Sequence, residues 1–290
     1  IQQSVKVLLL ALLFCAYYTN AQDKVANDPG SDEESITIPE ETDIDNAIQV
    51  DNKRAGRVTG TTTVSIANYP YVVSIKLSET GNLPKYYSGV IISNKHVLTA
   101  ALDRDYIISV RAGSNFIDKD GYTFDTLGYK NHDMVGLFTA TNFVSIITIN
   151  GTFSGLANVQ PITVQTSEIP FSKASPTNCE ALGWGYDEND KPVVNLGRVQ
   201  YTLTSDATCT WPYGPTVPSM QCAKSTVGGI CLSDNGVVLV CNSNLYGISI
   251  WGKCEPGIHV FSKIPAASIQ AFLLPYLPIT KIFKCPCNSC

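Results

Sequence analysis

Charged residues and histidines are scarce in this chain, and long apolar runs are absent from most of it. Of its 290 residues 16% are charged, and only three are histidines. Fifteen basic and fifteen acidic residues balance between residue 58 and the C terminus, so no basic excess indicates nucleic acid or an anionic membrane as a partner. After residue 14 no apolar run approaches the roughly eighteen residues of a membrane-spanning helix.

The chain also lacks heptad periodicity, an internal repeat and a clustered acidic loop with calcium-binding spacing. From residue 58 onward, short β-branched segments are separated by clusters of Gly, Asn, Pro and Asp, as at 71–77, 106–111 and 247–251. This spacing predicts an all-β sandwich or barrel and not alternating β-α-β units. We assign no metal and no cofactor.

The first 57 residues differ in composition from the rest. Lys6, an apolar run over 7–14 and small residues before Ala21 predict a secretory signal peptide over residues 1–22. Residues 23–57 hold ten acidic and four basic residues and no cysteine or aromatic, so they cannot offset the entropy of folding. We expect a flexible acidic pro-segment, with a simple linker as the alternative, on a secreted, extracellular protein.

Ten cysteines are present, one of them in the predicted signal peptide. Six lie in the body of the chain, at Cys179, Cys209, Cys222, Cys231, Cys241 and Cys254, and three lie near its end, at Cys285, Cys287 and Cys290. In a secreted chain they indicate disulfides, although spacing alone leaves the pairing open. The terminal three could form one local bridge with a free thiol, an intermolecular disulfide or a thiolate metal site.

Two segments carry the strongest functional signal. Residues 96–103 read H-V-L-T-A-A-L-D, and residues 231–241 read C-L-S-D-N-G-V-V-L-V-C. They resemble the W-V-L-T-A-A-H-C and C-x-G-D-S-G-G-P-L-V-C motifs of the trypsin/chymotrypsin family of serine proteases. Further matches are Arg57-Val58-Thr59-Gly60, Tyr69-Pro70-Tyr71, Asn131-His132-Asp133-Met134, Gly183-Trp184-Gly185, Ile250-Trp251-Gly252 and Pro256-Gly257.

The resemblance implies a fold of two six-stranded antiparallel β-barrels over residues 58–275. A short C-terminal helix is expected at 268–274, ended by Pro275, with a cysteine-containing tail over 276–290. The implied disulfides are Cys179–Cys241, Cys209–Cys222 and Cys231–Cys254. A fourth family bridge is missing at both ends, where Tyr87 and Asp103 replace the cysteines.

The same motifs imply that the catalytic residues are lost. Leu102 stands in place of the histidine, Asn235 in place of the serine nucleophile, and Asp133 matches the triad aspartate. Leucine cannot accept a proton, and an asparagine amide is a very poor nucleophile. Asp133 is expected to accept backbone hydrogen bonds instead of orienting an imidazole. We therefore expect no enzymatic activity.

Around this site some features are kept and others are changed. Arg57 and Val58 look like an intact activation site whose new amine would pair with Asp234, although Arg54 is a competing cleavage point. The pocket positions are Gly229, Ser233, Ile250, Trp251 and Gly252. Because a single residue separates Cys254 from Pro256, one pocket wall is short, and we expect a blocked cleft. The alternative is a narrow pocket for a small side chain.

No other residue is an obvious replacement base. His132 is adjacent to Asp133 but points the opposite way if it lies on a strand. His96 stands where the family usually has a tryptophan, and His259 lies near a position where the family usually has a tyrosine. We therefore interpret all three as structural or surface histidines. Asn150 begins the N-glycosylation sequon Asn150-Gly151-Thr152, with an unused match as the alternative.

These expectations favour a secreted pseudoprotease that acts by protein binding, as a decoy, cofactor or inhibitor. The chain is similar to the inactivated protease paralogues of parasitic mites, which are related to mite trypsin-like allergens, and this implies components of complement or another protease cascade as partners. An insect homologue in innate immunity is the rival interpretation. The alternative function is a weakly active, non-standard hydrolase. A glycan- or lipid-binding module has no signal in the sequence.

Overall fold

The computed structural model describes residues 61–186, 191–209, 211–231 and 234–278. The chain divides into two units, Ile1–Asn52 and Lys53–Cys290, and every described residue belongs to the second. The predicted signal peptide, the pro-segment and the three terminal cysteines lie outside the described residues. In the described part of the chain, no helix has the length and apolarity that a membrane crossing requires.

Six strands form the N-terminal barrel. They are β2 (Val72–Ser78), β3 (Lys85–Ile91), β4 (His96–Ala100), β5 (Ile107–Ala112), β6 (Tyr122–Asn131) and β7 (Val144–Ile149), preceded by the short β1 (Thr62–Thr63). The strands pair antiparallel and close in the order β2-β3-β4-β7-β6-β5. Alternation directs side chains inward, as on β5, where Ile108, Val110 and Ala112 are buried and the residues between them are more exposed.

Six more strands form the C-terminal barrel. They are β8 (Asn178–Gly183), β9 (Gly197–Leu203), β10 (Met220–Ser225), β11 (Val238–Cys241), β12 (Asn244–Trp251) and β13 (Gly257–Lys263). Their order is β8-β9-β10-β13-β12-β11, and the pairing of β11 with β8 closes the ring. Strand β1 pairs with β9 at its edge. The prediction of two six-stranded antiparallel barrels is confirmed.

One shared core joins the outer faces of the two barrels. Leu98 and Val144 from the N-terminal barrel belong to the same buried cluster as Val238 and Ile248 from the C-terminal barrel. Strand β11 is buried at every position, because it packs on both faces. A strand buried on both faces has a continuous apolar sequence, as β11 does. The loops that follow β4 and precede β11 therefore meet where the barrels touch.

A short α-helix, α1 (Ala267–Leu273), follows the second barrel, and a 3-10 turn continues it over Leu274–Tyr276. Ile269, Phe272 and Leu273 are buried, which is the spacing of one helical face. The predicted C-terminal helix is confirmed. Its α-helical part ends before Pro275, because proline has no amide hydrogen for the next helical bond.

The three disulfides implied by the family resemblance are all present, namely Cys179–Cys241, Cys209–Cys222 and Cys231–Cys254. The first joins neighbouring strands β8 and β11 within the C-terminal barrel. Each bridge constrains the unfolded chain and contributes about 2–4 kcal/mol to the free energy of unfolding.

Polar and aromatic contacts occupy the place of the missing fourth bridge. The Tyr106 hydroxyl donates to the Asp103 carboxylate at 2.8 Å, and Arg104 donates to it at 3.3 Å. Tyr87 packs against the core of the N-terminal barrel. Burial, assisted by the negative charge of Asp103, raises the pKa of Tyr87 to about 12. The loop after β4 is therefore held by the hydrogen-bonded Asp103 carboxylate, while the partly buried Tyr87 packs on the barrel core.

The double substitution Tyr87→Cys with Asp103→Cys tests whether these two residues occupy the lost bridge positions. We expect a new disulfide, closing a loop of about sixteen residues and contributing about 3 kcal/mol, less the packing lost with Tyr87. Peptide mass analysis detects the bridge, and thermal unfolding against the two single variants measures its effect. If both thiols stay free after expression in an oxidising compartment, Tyr87 and Asp103 do not occupy the positions of the fourth family disulfide.

Candidate functional site

Leu102, at the position of the family's histidine, lies just beyond the end of β4. Its side chain is 1% exposed and belongs to the aliphatic cluster inside the N-terminal barrel. Asn131 binds its backbone on both sides, because Leu102 N donates to Asn131 Oδ1 at 3.0 Å and Asn131 Nδ2 donates to Leu102 O at 2.8 Å. Residue 102 is thus fixed in place, with an alkyl group where a proton acceptor would be needed.

The Asp133 side chain points into solvent. It is on the loop over 132–143 that connects β6 to β7, and its side chain is 74% exposed and 3.1 Å from Lys130 Nζ. An acid that orients a catalytic imidazole must be within hydrogen-bonding distance of the ring. The assignment of Asp133 to the triad position is therefore corrected. The motif match misled because it falls at the end of β6, away from the strand that pairs with β4.

Strand register places Phe143, and not Asp133, beside the chain that leads to Leu102. Ala100 pairs with Val144 in the antiparallel ladder of β4 and β7, so the residue before Val144 faces the chain beyond Ala100. Phe143 packs against the core between the barrels and against the cluster that contains Ile250. Sequence reasoning missed this residue, although the apolar strand directly after Asn142-Phe143 was the available signal.

Asn235 lies in a tight turn before β11 and is partly buried. Its carbonyl accepts a hydrogen bond from Ser88 N at 3.0 Å, and Ser88 O accepts one from Thr99 Oγ1 at 2.7 Å. These bonds attach the turn to β3 and β4, so Asn235 and the end of β4 meet between the barrels. Gly236 has φ +79°, and a Cβ there would collide with Ser88 O and Thr99 Oγ1, so the turn requires glycine.

The three histidines of the chain all have structural partners. His132 Nε2 is 3.1 Å from Ser268 O at the start of α1. His96 Nδ1 is 2.8 Å from Ser93 Oγ in the turn between β3 and β4. His259 is buried in the C-terminal barrel. A general base must lie within hydrogen-bonding distance of the group it activates, and these contacts engage each ring elsewhere.

Asp234 is a buried carboxylate held by backbone donors. Oδ1 accepts from Tyr186 N at 2.6 Å, and Oδ2 accepts from Cys231 N at 2.7 Å. A small cavity of about 20 Å³ lies beside it and is also lined by Thr61, near the start of the described chain. Arg57, Val58 and Ser233, the other predicted activation and pocket positions here, lie outside the described residues.

The predicted primary pocket has little space at its floor. A Cβ added to Gly229 would collide with the His259 ring and with Glu255 O, and one added to Gly252 would collide with the backbone of Ile230. The short wall between Cys254 and Pro256 brings the Glu255 carbonyl this close. Since real Cβ atoms do not approach other atoms so closely, Gly229 is packed directly against His259 and Glu255, and Gly252 is packed directly against Ile230.

Ile250 and Trp251 complete the wall of the former cleft. Ile250 is buried in a cluster against which Phe143 and Trp251 also pack. Lys253 Nζ lies 5.6 Å from the centre of the Trp251 ring. Apolar side chains from both barrels therefore pack together at this place, since Phe143 belongs to the N-terminal barrel segment and Ile250 to the C-terminal barrel.

His259 is the ionisable group most affected by this packing. Its Nδ1 is 2.6 Å from the Tyr201 hydroxyl, which also accepts a hydrogen bond from Ile230 N at 3.0 Å. Burial lowers the pKa of His259 to about 4, against a smaller opposing contribution from the Glu255 backbone. Burial also raises the pKa of Tyr201. At neutral pH both rings are uncharged, and they fill space as a hydrogen-bonded pair.

The remaining predicted site residue lies away from the cleft. Asn150 is exposed in the bend that follows β7. Among the residues that the structure describes, no three Cys, His, Asp or Glu side chains group closely enough to hold a metal ion.

Comparison with known proteins agrees with this architecture. A sequence profile of the family described as "Trypsin" matches residues 58–270. The chain is 28% identical to "Trypsin delta" of Drosophila melanogaster over 208 residues, which cover 68% of this chain and 79% of that protein. It is 27% identical to "Chymotrypsin-2" of Vespa crabro over 220 residues, which cover 71% and 94% of the two chains.

The fold also matches a solved structure. The structure described as "Structure of GrC" superposes with a TM-score of 0.66 at 19% identity, and the match covers 75% of this chain and 98% of that one. At this identity the likeness concerns the fold alone.

Acid destabilisation should depend on His259. Below pH 6.5 the unfolded chain binds a proton at this residue, whereas the folded protein binds it only near pH 4, so acidification favours unfolding. By pH 4 this difference in proton binding lowers the free energy of unfolding by about 3 kcal/mol. Urea unfolding between pH 7 and pH 4 should show a shallower decline for His259→Gln than for the wild type. His132→Gln is the matched control, and equal declines in the wild type and His259→Gln would refute the assignment.

Proposed function

This chain belongs to the trypsin family, and we propose that within the family it is a secreted pseudoprotease that acts by binding other proteins. The observation that carries this proposal is the environment of Leu102. Its buried alkyl side chain and its Asn131-bound backbone leave no proton acceptor at the end of β4. Three disulfides support an extracellular location, since such bridges persist in oxidising compartments.

The catalytic loss involves all three functional positions. Leu102 cannot take up a proton, Phe143 cannot orient an imidazole, and the Asn235 amide cannot be activated as a serine hydroxyl is. Removing the nucleophile or the base of a comparable triad lowers the rate by roughly 10⁶, or about 8 kcal/mol. The closed floor at Gly229 also removes the anchor for a substrate side chain. Substrate binding and proton transfer are both compromised, which argues against the weakly active hydrolase.

An exposed apolar hairpin supports the binding role. The loop over 132–143 is closed by a bridge between Gly136 and Thr141, and it presents Met134, Leu137 and Phe138 with side chains 66%, 45% and 93% exposed. Its base is anchored, because Asn142 N donates to Ser219 Oγ at 3.0 Å. Grouped apolar side chains on a rigid loop are typical of protein-binding surfaces, since burial of one Phe contributes about 1.5–3 kcal/mol.

We further propose that the partners are components of complement or of another innate-immune protease cascade. The support is the resemblance to inactivated mite protease paralogues, together with a family scaffold that presents loops around a closed cleft. To bind a cascade component, the protein needs an exposed contact surface. The hairpin over 132–143 is our candidate for this surface.

Restoring the two lost catalytic side chains should not restore hydrolysis. In the variant Leu102→His with Asn235→Ser, Phe143 still cannot hold the imidazole, and the pocket floor stays closed. Processed wild type and variant are compared on a broad peptide library and with a serine-directed phosphonate. Turnover by the wild type would refute the pseudoprotease, whereas turnover by the variant alone would refute the role given to Phe143.

Phe138→Ser should weaken partner binding. The matched control is Leu83→Ser, which alters a 91% exposed leucine between β2 and β3. With complement as the tested cascade, we expect the processed wild type and Leu83→Ser to suppress complement-mediated lysis in serum and Phe138→Ser to need at least tenfold more protein. Lack of suppression by the wild type contradicts the complement role. Equal potency of all three proteins contradicts the hairpin as the binding surface.

A further inference from the structure

We propose that Asn150 carries an N-linked glycan, located at the end of the N-terminal barrel remote from the former cleft. Asn150, Gly151 and Thr152 are all exposed, in the bend immediately after β7. They form the acceptor pattern for this modification, in which the second residue is not proline. The glycan does not depend on the proposed pseudoprotease role.

The Asn150 side chain is available while its backbone is held. Asn150 N donates to Asp125 O at 2.8 Å, which ties the acceptor residue to β6. Within the described residues, the side-chain amide makes no hydrogen bond. The attached sugar would therefore displace no contact of the folded protein.

The chain beyond Asn150 keeps the acceptor turned outward. Phe153 is buried, its ring lies 5.0 Å from that of Phe124, and its amide donates to Asn94 O at 2.8 Å. Gly151 has φ +147°, and a Cβ there would lie 3.3 Å from the Phe124 ring. The aromatic pair thus anchors the end of this bend, and the acceptor projects away from it.

Strand β7 sets the distance between the glycan and the cleft. Its first residue, Val144, pairs with Ala100, two residues before Leu102, and its last residue, Ile149, precedes Asn150. At about 3.3 Å per residue the two ends of the strand are about 17 Å apart. A glycan at Asn150 therefore covers the opposite end of the barrel and leaves Phe143 and the hairpin over 132–143 accessible.

The modification is a group transfer from a lipid-linked oligosaccharide of the secretory pathway. A bond forms between Asn150 Nδ2 and C1 of the first N-acetylglucosamine, while the bond from C1 to the lipid pyrophosphate oxygen breaks. The pyrophosphate leaves with the electron pair, and the amide nitrogen loses one proton. No oxidant or reductant is required.

The test expresses the full chain, behind an established secretory leader, in a eukaryotic host. We expect the secreted wild type to lose mass on treatment with peptide N-glycosidase F, and digestion in heavy-oxygen water to label Asn150. The label separates enzymatic deglycosylation from deamidation that occurs spontaneously before the treatment. Asn150→Gln and Thr152→Ala should show no mass loss, whereas Thr152→Ser and the exposed control Asn82→Gln should behave as the wild type.

A second variant makes a negative result decisive. In the Asn150→Gln background, Leu137→Asn places a new acceptor before Phe138-Thr139 on the exposed hairpin. If the host glycosylates this site while Asn150 stays unmodified in the wild type, the proposal is overturned. If neither site is modified although a standard secreted glycoprotein is, the proposal is also overturned. Modification of the wild type that survives Asn150→Gln would show a different attachment site and would refute it as well.

Discussion

The antiparallel pairing of β4 with β7 is the constraint on which the former cleft depends. By placing Ala100 opposite Val144, it brings the chain that leads to Leu102 alongside Phe143 just beyond the strand ends. The Asn131 amide then holds the Leu102 backbone through two hydrogen bonds. The Leu102 side chain lies in the core of the N-terminal barrel and that of Phe143 packs between the barrels, and neither of the two is ionisable.

Apolar packing dominates the surroundings of these two residues. Leu102 adds to the core of one barrel, Phe143 packs against the cluster around Ile250, and His259 with Ile230 fills the pocket floor. A buried charge without a partner costs several kcal/mol, so a site that loses its imidazole is more stable without the matching acid. Asp234 differs, since backbone amides of Tyr186 and Cys231 donate to its carboxylate.

The same strand that organises the closed cleft also separates the surfaces of the molecule. The hairpin over 132–143 enters β7 at Val144, beside the cleft, and the acceptor Asn150 follows its other end. A protein-binding surface and a glycan at these two places would not compete for space. Loops vary more freely than strands, so a scaffold that keeps its ladders can change its surface without losing its fold.

Much of this molecule could be predicted from its sequence. The β-branched segments and turn clusters predicted an all-β protein, and the motif resemblance predicted the two barrels, the C-terminal helix and all three disulfides. The contiguous motifs around Leu102 and Asn235 also predicted which positions these two residues occupy in the family. The error at Asp133 arose because a short polar motif matched at a strand end without information on which strand pairs with β4.

The sequence by itself determined which side chains are present and, through local patterns, which segments become strands. Only the tertiary structure decided which of those side chains meet. Phe143 lies beside the end of β4 through ladder register, and the ring of His259 on β13 lies directly against Gly229. Both are contacts between segments far apart in sequence, and such contacts depend on strand register and barrel closure, which no local pattern encodes.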